Sequence, residues 1–177
     1  MRVHLIRHPD FPCDAVRAIA VELTRAGPSV LAVRYVVEGD LSAVALPPPA
    51  PAERTDELWR RTCLEAFAAD AGGRGYSEYN LAPSTAWAAY RFDGYRRGMR
   101  PAEVAPPAIA VERTTGRLEL RARLELAQPA SLLGLAAVIE EMSGRVSYWA
   151  VRHPAGARPD FHHADGFAVE LPAVSTP

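Results

Sequence analysis

Side chains able to do chemistry concentrate in three stretches. The densest is Tyr148-Trp149-Ala150-Val151-Arg152-His153-Pro154, followed by Asp160-Phe161-His162-His163-Ala164-Asp165-Gly166-Phe167. Three of the five histidines lie there within eleven positions, with two aspartates among them. Imidazole and carboxylate together can ligate zinc or non-haem iron, can satisfy backbone groups of a loop, or can rim a ligand site. Pro154, Gly156 and Pro159 make this stretch a loop, and its spacing matches no zinc-binding helix. The second stretch is Trp59-Arg60-Arg61-Thr62-Cys63-Leu64-Glu65-Ala66-Phe67. A carboxylate inside an apolar strand is costly unless it is paired or faces a wet cleft, so Glu65 belongs either to an ion pair or to a ligand site. The third runs from Tyr76 through Glu78 and Asn80 to Trp87, Tyr90, Phe92 and Tyr95. Alternation puts Glu78 and Asn80 on one strand face, where they can offer hydrogen bonds to a polar ligand, while Tyr79, Leu81 and Trp87 read as core.

Composition removes whole classes of mechanism. All 20 basic residues are Arg, so Schiff-base chemistry, a phosphate-binding loop lysine and a Ser-Lys dyad are excluded. The formal charge of −1 carries no excess for a polyanion, and no nucleic-acid partner is expected. The glycine-rich nucleotide signatures, the Gly-x-Ser-x-Gly elbow and Cys-x-x-Cys are all missing. Glu140 and Glu141 are neighbours in a strand and point to opposite faces, so they form no acid/base pair. Cys13 and Cys63 read as two reduced thiols. The amino terminus has no apolar run of signal-peptide length and no stretch is long enough to span a bilayer, so a cytoplasmic location away from membranes is expected.

The elements that must position these residues read as strands. Turn chemistry cuts the 177 residues into short alternating runs near 30–37, 62–69, 76–82, 86–92, 117–126, 134–141, 145–151 and 167–171. Residues 108–113 and 117–126 form one hairpin, and residues 135–141 and 145–151 another. In residues 118–126 Leu and Ala alternate with Glu and Arg, which predicts a strand with one wet face. Two segments fit helix or strand equally, Val16 to Leu23 and Leu58 to Ala69. The proline run at residues 47–51 lies in an exposed loop spanning residues 47–57, since proline has no donor for a sheet. At 49% apolar and 23% charged residues, the chain is expected to fold as one all-β domain over residues 1–177, a two-sheet β-sandwich.

Three motifs carry a resemblance. They are Leu58-Trp59-x-x-Thr62-Cys63-x-Glu65-Ala66-Phe67, Tyr79-Asn80-x-x-Pro83-Ser84-x-x-Trp87-Ala88-x-Tyr90, and Ser147-Tyr148-Trp149-Ala150-x-x-His153-Pro154 with Pro159-Asp160-Phe161-His162-His163-x-Asp165-Gly166-Phe167. On these the chain resembles bacterial DOMON-like domain proteins, which are similar to family-nine carbohydrate-binding modules. The resemblance spans about residues 3–171. It implies an immunoglobulin- or jelly-roll-like sandwich that binds a small saccharide or glycosylated metabolite without catalysis. By the same likeness Trp59 and Trp149 are expected to wall the sugar, with Glu65 and Asn80 on its hydroxyls. Glu78, His153 and His163 complete the expected ligand-binding set. No cofactor or metal is expected. The alternatives are haem, for which Met99 and Met142 are the available thioethers, and a metal-assisted enzyme using the His153/His162/His163 loop.

Overall fold

The computed structural model describes residues 1–69 and 75–171. Among these residues, twelve strands join into one antiparallel sheet that curls upon itself. In chain order they are β1 (Arg2–Arg7), β2 (Val16–Gly27), β3 (Val30–Gly39), β4 (Cys63–Ala69), β5 (Tyr76–Leu81) and β6 (Trp87–Phe92), then β7 (Arg100–Pro101), β8 (Ala108–Arg113), β9 (Arg117–Glu125), β10 (Leu132–Glu140), β11 (Val146–Ala150) and β12 (Val169–Glu170). The pairing runs β7-β6-β5-β4-β10-β11-β1-β2-β3-β9-β8, with β12 beside the start of β10. The all-β expectation holds. Val16 to Leu23, which fitted either period, is strand, as its β-branched and apolar alternation favours. In the other ambiguous segment, Leu58–Arg60 is a short 3-10 turn and Cys63–Ala69 is strand.

β1, absent from the expected strands, joins the two halves of the sheet. It pairs with β11 through Ile6 and Arg7 and with β2 through Arg2 to Leu5. The curl brings the inner faces of both halves onto one core. Ile19, Val21, Leu31, Tyr35, Leu118 and Leu120 from one half meet Leu64, Ala66, Tyr79, Leu81, Leu135 and Ile139 from the other. Tyr35 on β3 reaches across this core, and its hydroxyl donates to the Glu65 carbonyl on β4 at 2.6 Å. A buried phenol needs such a partner.

The two halves treat their outer faces differently. β9 alternates buried and exposed positions, as its Leu/Arg-Glu pattern predicts. Its wet face carries an ion-pair ladder in which Glu119 accepts from Arg34 at 2.6 Å, from Arg117 at 2.7 Å and from Arg121. By contrast β5 is buried at all six positions and β4 at six of seven. These strands are covered on both sides, so alternation distinguishes two buried faces rather than inside from outside.

The second face of β4, β5, β6, β10 and β11 is a satellite cluster of Phe67, Tyr76, Tyr90 and Phe92 with Ala88, Ala136 and Ala150. Register makes it a platform. Glu65 stands opposite Asn80 on one side and Ala136 on the other, and the row continues through Ala88 and Ala150. Alanines around a glutamate leave that row low.

Candidate functional site: a carboxyl-floored cavity on the outer sheet face

A cavity of about 490 Å³ opens over this platform, within the size range of small-ligand clefts. Glu65 and Glu78 form its floor. Trp59, Phe92, Tyr148 and Phe161 supply aromatic walls, with His162 among them. Strand alternation places the floor residues: Cys63, Glu65 and Phe67 share the outer face of β4, and Tyr76, Glu78 and Asn80 that of β5.

Three irregular segments cover the platform. The 3-10 turn at Leu58–Arg60 carries Trp59, whose ring meets Tyr90 edge-on at 5.7 Å. The loop at residues 93–99 carries Arg96, and residues 151–168 carry Phe161 and His162. Asp160 latches the last two loops together, accepting from the Tyr95 hydroxyl at 2.6 Å and from Arg96 at 2.9 Å. The turn at Ala164–Gly166 sits close on β10, because a Cβ at Gly134 would come within 3.2 Å of the Gly166 carbonyl oxygen. Glu57 and Arg96, one in each of two covering segments, hold left-handed φ angles of 62° and 51°. Such backbone is unfavourable for a side-chain-bearing residue and gathers where a segment must be held in one shape.

The polar groups on the floor form a short network. Asn80 Nδ2 donates to Glu78 Oε1 at 2.8 Å. His162 Nδ1 lies 2.7 Å from the Tyr76 hydroxyl, which also accepts from the Arg96 backbone N–H. With the phenol assigned as donor to Nδ1, the ring proton sits on Nε2, 3.9 Å from Glu78 Oε2. Glu65 Oε1 is buried and has no hydrogen-bond partner among the described residues. Burial pushes the Glu65 carboxyl well above its ordinary range, and the neighbouring Glu78 pushes it further. Burial lifts Glu78 to about 7 against the opposing pull of the Asn80 amide and Arg96. Burial, with Arg96 beside it, lowers His162 to about 4, so the imidazole is neutral at physiological pH.

The structure brings Trp59, Glu65 and Glu78 to the cavity, buries Asn80 behind Glu78 and out of reach of a ligand, and puts three further expected residues elsewhere. Trp149 is a core residue: its indole is 5% exposed among the apolar side chains of the inner face and donates to Ser147 Oγ at 3.0 Å. The register of β11 is the reason, because Tyr148, one position earlier, takes the outward place and lines the cavity. His153 turns to the Ile6 carbonyl at 2.8 Å and packs edge-on to His8. His163 is exposed and caps the 164–166 turn by accepting from the Asp165 N–H. The three loop histidines thus diverge, and among the described residues no three His, Cys, Asp or Glu side chains converge to hold a metal. Of the two thioethers, Met99 stands at the cavity while Met142 is 71% exposed on the turn after β10. Cys13 and Cys63 are free thiols.

Arg96 and Tyr148 join the site without having been expected in it, and His162, expected only under the metal-assisted alternative, joins it as well. The loop's Asp-x-His pattern was the available signal for His162. Asp160 accepts the His162 backbone N–H at 3.2 Å, which fixes the ring that follows. Nothing local marks Arg96.

No family model matches the chain, and no curated protein matches it. A crystal structure of a "putative carbohydrate-binding protein" from Bacteroides uniformis is similar in fold, with a TM-score of 0.61 over 94% of this chain and 83% of that one at 12% identity.

Proposed function

We propose that the protein is a non-catalytic saccharide-binding module of the DOMON-like, family-nine-like β-sandwich kind, and that the carboxyl-floored cavity is its ligand site. One observation carries this reading: the buried Glu65 carboxyl is aimed into an aromatic-walled cavity with one oxygen unpartnered. A buried polar atom left without a partner costs roughly 1–3 kcal/mol, and a ligand hydroxyl in the cavity would relieve that cost. Trp59 and Tyr148 offer ring faces to the C–H face of a sugar, while Glu78, held from behind by the buried Asn80, binds further hydroxyls. The similarity in fold to the Bacteroides uniformis protein is in keeping with this reading.

The test is a glycan array followed by calorimetry on the positive glycans, with wild-type protein and Trp59→Ala. The expected result is a several-fold weaker interaction for Trp59→Ala, the loss of about 1 kcal/mol of stacking, with little change in thermal unfolding because Trp59 is only half-buried. A wild-type protein that binds no glycan, or that is purified from its own host with a Soret band or stoichiometric metal, overturns the reading.

A further inference from the structure

Charge at the cavity is divided unevenly between floor and rim. Two arginines line it, and both are already engaged by carboxylates of the covering segments: Arg60 pairs with Glu57 at 2.7 Å and Arg96 with Asp160 at 2.9 Å. Their side chains are exposed at the mouth, whereas Glu65 and Glu78 lie buried below it. His162 Nδ1 is engaged by the Tyr76 hydroxyl, and no other basic side chain lines the cavity among the described residues. The remaining titratable groups facing the two carboxyls bring no cation either. They are Cys63 from β4, Tyr35 reaching through from β3, Tyr76 on β5 and Tyr90 on β6, all raised by burial and therefore neutral. The floor is thus a pair of buried acids with no counter-charge of its own, its nearest cation, Arg96, being shared with Asp160 at the mouth.

A neutral sugar supplies no such charge and leaves the pair partly protonated. An ammonium group supplies one, carries three donors and no acceptor, and suits a floor of carboxylate oxygens. The aromatic walls favour the same ligand, since ring faces attract cations at a range of about 6 Å. We propose that the ligand carries a protonated amine seated on Glu65 and Glu78, so that the site takes amino sugars or aminocyclitols in preference to neutral sugars. This rests on the saccharide reading and narrows it. Binding then ionises the floor and releases protons to solvent.

The experiment is calorimetry on the full chain with glucosamine, galactosamine and mannosamine, their N-acetylated and neutral hexose counterparts, and cyclohexylamine, each in two buffers of different ionisation enthalpy near neutral pH. Expected is an amino sugar bound about tenfold to a hundredfold more tightly than its N-acetyl and neutral counterparts. Its apparent enthalpy should differ between the buffers, reporting protons released. Glu65→Gln should abolish most of the preference and reduce the proton count while unfolding no earlier than wild type. If a neutral hexose binds as tightly as its amine, the inference falls and the saccharide reading stands. If cyclohexylamine binds as tightly as the amino sugars, the amine seat stands and the saccharide reading falls. If nothing in the panel binds, the inference is overturned.

Discussion

Replacing Glu78 by Gln should stabilise the protein, and only above mildly acidic pH. An unfolded glutamate loses its proton near 4.5, whereas Glu78 in the folded chain holds its proton to about 7. Between those values the native state binds more protons than the unfolded one, so Glu78 erodes stability as pH rises and costs a constant amount above the window. The displacement corresponds to about 3 kcal/mol. Gln keeps an acceptor for Asn80 Nδ2, and the charge-assisted part of that bond is already counted in the displacement. The net gain for Glu78→Gln is therefore about 3 kcal/mol above pH 7 and close to zero below pH 4.5. His162 works in the opposite sense. Its folded form stays neutral down to about 4 against 6.5 unfolded, so its contribution grows as pH rises through that range. The two slopes oppose each other in their shared window, and the wild-type curve alone is uninformative. The assay is urea unfolding followed by tryptophan fluorescence across the pH range, reading the difference between variant and wild type. A difference that does not change with pH, or a variant less stable than wild type above pH 7, would refute the reasoning.

Two further outcomes test other parts of the structure. Trp149→Ala should cost about 3–5 kcal/mol of folding stability, measured by chemical denaturation, because it empties the inner core; a variant as stable as wild type would return that indole to the surface. Glu119, held down to about 2 first by the Arg34 hydrogen bond and then by Arg117 and Arg121, contributes stability above its unfolded value of 4.5 that is lost as pH falls toward about 2. Glu119→Gln should lower the melting temperature at neutral pH, less so in high salt, with the difference closing in acid; a deficit that persists in strong acid would mean the ladder acts through packing instead.

The strands were legible where one period ruled. In residues 117–126, Leu and Ala alternate with Arg and Glu, and the strand found there has its wet face where the charges are. On β4 and β5 the same period separated Glu65, Glu78 and Asn80 from Leu64, Tyr79 and Leu81. What alternation could not reveal was that both faces are covered, because covering segments leave no periodic trace. Trp149 shows the limit most sharply. Tyr148 and Trp149 are adjacent aromatics, and a strand sends them to opposite faces, so the likeness that picked out an indole picked the residue of the inner face. β1 was missed because Arg2–Arg7 alternates weakly and its pairing partners lie far along the chain. Arg96 was hidden for a similar reason: its role comes from Asp160, which only the fold brings near.

The row that holds Glu65 has a consequence for how such a cavity changes over time. It runs through Ala88, Ala136 and Ala150, which stand on three different strands, are buried and have no rotamers to lose. The mould is therefore stiff before anything enters it, and a ligand need not freeze its floor. Each of the three is packed beneath the aromatic cluster, so a methyl added there presses on its neighbours instead of filling open space. Variation in ligand is therefore channelled to the side chains that do line the cavity, many of them on the covering segments, while the row beneath resists change.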